Sequence, residues 1–203
     1  MPHSRWARGT GMPSLPTPVA IQAFLDELPY NSGATQRSPQ RVWQDRTANC
    51  MEGALFAAAC LERIGYRPRI VNFVAVRDDD HVIAIYRRQG RYGSIAKSNY
   101  TGLRFRNPVY HTVRELVLSY FEDYFNPAGE LTMRRYTRPL DLRARRFAGW
   151  QMAADIDYLS DALDAQPQVE ILPADGESAL RMVDARLLRA GLLGADPAGL
   201  YQL

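Results

Sequence analysis

The sequence is short of every feature that would commit it to a special class. Its longest strongly apolar stretch, residues 53–61, is about half of what a helix needs to cross a hydrocarbon core ~30 Å thick, so no membrane span is expected. Residues 1–17 carry arginine but no apolar run after it, which argues against a secretory signal. Their Pro, Gly, Ser and Thr content reads as a flexible tail, and a cytoplasmic protein is expected. Lysine is nearly missing, with Lys97 alone beside 24 arginines, a skew that fits a GC-rich bacterial genome better than a partner. Basic blocks are absent too. The net charge is +3 with 22 carboxylates interspersed, and the arginine cluster Arg134, Arg135, Arg138, Arg143, Arg145 and Arg146 is interrupted by Asp141 and has no stacking motif. That pattern argues against nucleic acid as a partner. The sequence does not address the oligomeric state.

Cysteine and histidine are scarce as well. Cys50 and Cys60 lie ten residues apart on what reads as one helix, about 15 Å at the helical rise, too far for a disulfide. Two unbridged thiols fit a reducing compartment. The histidines are His3, His81 and His111. Asp78, Asp80 and His81 have no second histidine or thiol at ligand spacing, so neither a metal nor another cofactor is expected.

With 203 residues, 46% of them apolar and 23% charged, the chain can fold as one soluble domain with an appendage and bury roughly 70% of its unfolded surface. Thr17-Pro18 opens a helix over 18–28, and Ser38-Pro39 a short one through Trp43. Asn49 and Glu52 have the spacing of a capping box, predicting a helix that starts at Cys50 and stops at Gly65. Its stretch from Ala54 to Leu61 is apolar on every face, which marks a buried central helix. Strands follow over 69–77, 81–87 and 91–98, turning at Asp78-Asp79-Asp80 and at Gln89-Gly90. The stripe Val113, Leu116, Val117, Tyr120, Phe121, Tyr124 predicts a helix over 110–125. Beyond it come a strand over 131–136, a helix over 149–163, a strand over 169–172 and a helix over 177–190.

A thiol in the first turn of a helix meets unpaired amides and the positive end of the helix dipole, which favour thiolate; Cys50 is therefore the candidate nucleophile. Cys60, ten residues deeper among alanines, reads as a small core hydrophobe. His81, at the mouth of a strand one hairpin after the helix, is the natural base.

Asn49-Cys50-Met51-Glu52-Gly53-Ala54 at a buried helix start, followed by His81-Val82-Ile83-Ala84 leading a strand, resembles the transglutaminase-like branch of the papain-like cysteine proteinases over residues 38–100. The resemblance implies an α+β fold with a papain/transglutaminase-like core, a buried helix packed on an antiparallel sheet, over 18–126, and an α+β C-terminal extension over 127–203 packed on it. It also implies acyl transfer on a peptide or protein amide. The Cys50 thiolate attacks the carbonyl, the Cys50 amide and the Gln44 side chain hold the oxyanion, and His81 protonates the leaving amine. A thioester then passes to water or to an amine.

The departure from that pattern is the carboxylate that transglutaminase-like domains place on the strand after the histidine. Here no Asp or Glu stands between His81 and Glu115, and Ala96 takes the position. Centring the hairpin on Gln89-Gly90 pairs residues whose numbers sum to 179, setting Ser98 opposite His81. Ser98 or Asn99 is then the group expected to orient the imidazole. The alternative is a catalytically inactive transglutaminase-like fold that binds a peptide or protein.

Overall fold

The computed structural model describes residues 14–33, 36–173 and 175–202; most of the predicted tail, 1–13, lies outside them. Three helices open the chain. The first, α1 (Pro18–Asp26), is capped by the Thr17 hydroxyl, which accepts from the Ala20 amide. The second is α2 (Pro39–Asp45) and the third α3 (Cys50–Arg63). In α3 the capping box is complete, the Asn49 side chain accepting from the Glu52 amide while the Glu52 carboxylate accepts from the Asn49 amide. Every residue of α3 from Met51 to Leu61 is buried.

The helix packs on a seven-stranded antiparallel sheet made of β1 (Arg69–Ala75), β2 (His81–Arg88), β3 (Arg91–Ile95), β4 (Arg106–Tyr110), β5 (Met133–Thr137), β6 (Leu140–Asp141) and β7 (Gln168–Glu170). The strand order is β4-β3-β2-β1-β5-β7, with β6 also against β1. Alternation sorts the side chains. Ile70, Val82, Ala84, Tyr86 and Ile95 face the helices α1 to α3. Val71, Phe73, Ile83, Ile85 and Ala96 face a second core with Leu116, Val117, Tyr120 and Tyr124. Strands from the 127–203 stretch thus complete the sheet that the earlier strands begin.

Pairs Ala84↔Ile95, Ile85↔Ser94 and Tyr86↔Gly93 carry the predicted register. Both turn residues, Gln89 (φ 49°) and Gly90 (φ 79°), are left-handed, as a two-residue hairpin loop requires. Strand β3 ends at Ile95, three residues short of the expected Ser98. Past that point the Gln22 side chain takes the place of a partner strand. Its amide donates to the Ala96 carbonyl and its oxygen accepts from the Ala96 N–H, at 2.9 and 3.1 Å.

The helix expected over 110–125 is three pieces. Residues 106–110 form β4, an edge strand that tolerates Pro108 because its other side has no ladder to feed. Then come α4 (Val113–Leu118) and a 3-10 turn over 121–123. The helix stops where the Ser119 hydroxyl turns back on the Leu116 carbonyl, and Arg106 holds that end through Ser119 and Asp123. The aromatic stripe still packs as core, with Tyr120 and Tyr124 buried.

In the remainder, α5 (Asp157–Asp164) begins later than the expected 149, after a left-handed Gly149. The expected 177–190 helix is a 3-10 turn at 176–179 followed by α6 (Ala185–Gly191), whose Asp184 cap accepts from Arg186 and Leu187. No helix among the described residues is long and apolar enough to cross a membrane.

Candidate functional site

The site forms where the start of α3 meets the turn between β1 and β2. That turn is latched by its own aspartates. Asp80 accepts from the Ala75 amide and the Asn72 side chain, and Asp78 from the Thr132 hydroxyl and the Asp79 amide. Burial raises the Asp78 pKa to about 6. Asp78 is thus half-buried, while Asp79 and Asp80 are exposed.

Glu52 fixes the other wall. Its carboxylate is wholly buried and accepts from the Asn31 amide group, the Arg37 and Asn49 backbone N–H groups and the Arg37 guanidinium. One carboxylate therefore ties Asn31 and Arg37 to the first turn of α3. A bridge between Tyr30 and Ala48, carried by hydrogen bonds from Asn31 N to Ala48 O and from Ala48 N to Pro29 O, lays Tyr30 beside the same turn.

Cys50 stands at the first helical position between these walls. Its sulfur donates toward the Asp80 carbonyl at 3.8 Å, and the Met51 and Val82 amides and the Tyr30 hydroxyl stand near enough to favour its charged form. Burial raises the thiol pKa, and the Asp79 charge adds to that; the two amides and Tyr30 pull the other way and do not overcome it. The thiolate expected from the helix dipole is thus not the resting state, because desolvation exceeds what the backbone supplies. Desolvation raises the Tyr30 phenol above its usual range as well, although the nearby Cys50 amide pulls the other way.

His81 begins β2, directly opposite Phe73 of β1, so its ring stands on the sheet face turned away from α3. It packs against Phe73 and the edge of Tyr124, with ring centroids at 5.9 and 6.4 Å. Its Nε2 lies 3.0 Å from the Leu103 carbonyl. Since a carbonyl only accepts, that nitrogen carries the proton in the neutral ring and Nδ1 keeps its lone pair. Burial lowers the His81 pKa to about 4, so the ring is neutral at pH 7.

Both groups line one cavity of about 40 Å³ with Tyr30, Ser98, Tyr124 and Tyr201, space for a few waters. Among the described residues no hydrogen bond joins the thiol to the imidazole; the sulfur rests against the backbone on either side of His81. Ser98 and Asn99 also line the cavity, yet neither orients the ring. The Ser98 hydroxyl accepts from the Tyr100 amide, and Asn99 binds the backbone of Asp196 and Gly199. Gln44 is exposed on α2 and is not among the residues lining the cavity.

The sequence reading missed Tyr30 and the Leu103 carbonyl. Tyr30 sits in a Pro-Tyr-Asn-Ser loop with no periodicity to mark it, and a backbone carbonyl leaves no signature in residue types. No group of three or more His, Cys, Asp and Glu residues that could hold a metal occurs among the described residues. Cys60 is buried, and its thiol is pushed up to about 12, as suits a core residue.

Fold and site together define an α+β protein with a free thiol at the first turn of a buried helix, sharing a small cavity with a neutral histidine from the adjoining sheet. Comparison with protein-family models and with curated proteins gave no match.

Proposed function

We propose that the protein carries out cysteine-dependent acyl transfer on an amide or peptide, using a transglutaminase-like core in the cytoplasm. The observation that carries this reading is the meeting of Cys50 and His81 in one small cavity, with the Tyr30 hydroxyl and the Met51 and Val82 amides near the sulfur. Donors so placed stabilise negative charge as it forms on sulfur, where water is largely excluded.

Both partners start neutral. Once a substrate draws thiol and ring together, His81 Nδ1 takes the thiol proton while Cys50 Sγ attacks the carbonyl carbon. The oxyanion is held by the Cys50 amide and the Tyr30 hydroxyl, which stand beside each other at the thiol. His81 then delivers the proton to the departing amine as the carbon–nitrogen bond breaks, leaving a thioester on Cys50. Water or a second amine resolves it, giving hydrolysis or transfer. The Leu103 carbonyl occupies the orienting role that a carboxylate fills elsewhere; it fixes the tautomer without adding charge.

A second reading, an inactive fold that binds peptide, is favoured by one specific observation: at rest the imidazole is bonded to Leu103 and not to the thiol. Intact-mass measurement after exposure to p-nitrophenyl acetate separates the two. Acyl transfer predicts an acetyl thioester on Cys50, absent in Cys50→Ala and formed at least about a hundredfold more slowly in His81→Ala. Equal acylation of wild type and His81→Ala supports the binding module.

A further inference from the structure

The chain itself supplies part of the cavity wall. After α6, Gly199 and Tyr201 line the cavity beside Cys50 and His81. Asn99 holds this crossing by three hydrogen bonds. Its amide group donates to the Asp196 and Gly199 carbonyls at 3.1 and 2.9 Å, and its oxygen accepts from the Asp196 amide at 3.1 Å. A side-chain amide that reads both backbone polarities of a passing segment recognises peptide, whatever its side chains.

Side chains enter at two points. A Cβ on Gly199 would stand 2.6 Å from the Asn99 amide nitrogen and 2.6 Å from the Tyr30 ring, so only glycine passes between them. Leu200, next along, packs against the Tyr120–Tyr124 core, and Tyr201 reaches back over the cavity.

We infer that this groove is a peptide-binding subsite occupied in the resting protein by the chain's own 196–202 segment, and that its external ligand is an extended peptide with glycine at the Tyr30–Asn99 constriction. This deepens the acyl-transfer reading and rests on it for the substrate, naming a peptide backbone as the group admitted beside Cys50. The segment narrows the site, where Cys50 is only partly exposed, and displacing it opens the thiol further.

The test is the rate at which iodoacetamide alkylates Cys50 in the full chain, with Cys60→Ala in every sample so that one thiol reports. Gly199→Ala, which cannot seat between Tyr30 and Asn99, is expected to speed alkylation by about tenfold or more. The capped peptide Asp-Pro-Ala-Gly-Leu-Tyr-Gln, added in excess, is expected to restore the slow rate, and the same peptide with valine for glycine to leave it fast. Tyr201→Ala, which removes a side chain without adding a clash, serves as the second variant and should also speed alkylation. Unchanged rates in both variants, or no protection by the glycine peptide, overturn the inference. The acylation difference between wild type and His81→Ala reports separately on the chemistry.

Discussion

Cys50 and Cys60 stand ten residues apart on α3, and burial raises the pKa of both thiols. Around Cys60 lie the apolar side chains of the helical core. Around Cys50 lie two amide protons, a phenol, a carbonyl and, in the same cavity, an imidazole. Burial alone makes a thiol inert; directed donors and a neutral base at the edge of the core give it chemistry. Two stretches of one helix thus divide the labour, apolar packing at Cys60 and polar surroundings at Cys50.

That division is broken most severely at Glu52. Replacing it with alanine removes the acceptor shared by the Asn31, Arg37 and Asn49 donors and leaves only the Asn49 half of the capping box on α3. The expected loss is about 3–5 kcal/mol, read from denaturant unfolding. Gly53→Ala comes next. A Cβ there runs into the Lys97 side chain, whose ammonium closes the end of α1 by donating to the Leu25 and Leu28 carbonyls. Overpacking of this kind is expected to cost about 1–3 kcal/mol, seen as a lower unfolding midpoint.

Cys60→Ala sharpens the comparison from the other end. It removes one buried sulfur from an apolar setting and is expected to cost about 1 kcal/mol while leaving Cys50 labelling unchanged. A large change in Cys50 reactivity would show that the two ends are coupled.

The smallest net effect expected is in pH dependence, because two buried groups oppose each other. His81 titrates near 4 in the fold against an ordinary 6.5, so the unfolded chain takes up its proton first and stability is lost as pH falls from about 6.5 to 4. Asp78, raised to about 6 from 3.8, binds its proton first in the fold and adds stability as pH falls from about 6 to 3.8. Subtracting the stability curve of His81→Gln from that of wild type isolates the histidine. The difference should be level above about pH 6.5 and fall toward pH 4; a difference level throughout would contradict the buried, neutral ring.

Much of the scaffold was legible in residue order. The Asn49–Glu52 cap, the all-apolar face of α3 and the Gln89-Gly90 turn are local signals, and each placed its element and register. The 110–125 stretch was not legible. Its helical stripe is real as packing, but the edge of β3 recruits 106–110 as a strand, a long-range pairing that no local period reports. At the site, the meeting of Cys50 and His81 in one cavity was readable from position alone. Their protonation states were not, since desolvation depends on what the rest of the chain packs around them. The same holds for Asn99, whose partners Asp196 and Gly199 lie about a hundred residues away, and for Tyr30, which a single bridge brings to the thiol.

The most direct test of the central claim labels both thiols in one experiment. Native protein is treated with iodoacetamide across pH 6–10, and Cys50 and Cys60 are quantified separately by peptide mapping, in wild type and in His81→Ala. The account predicts that Cys50 labels well ahead of Cys60, by about tenfold or more, and that His81→Ala removes most of this lead near neutral pH. Equal labelling of the two cysteines, or a Cys50 rate indifferent to His81, would contradict it.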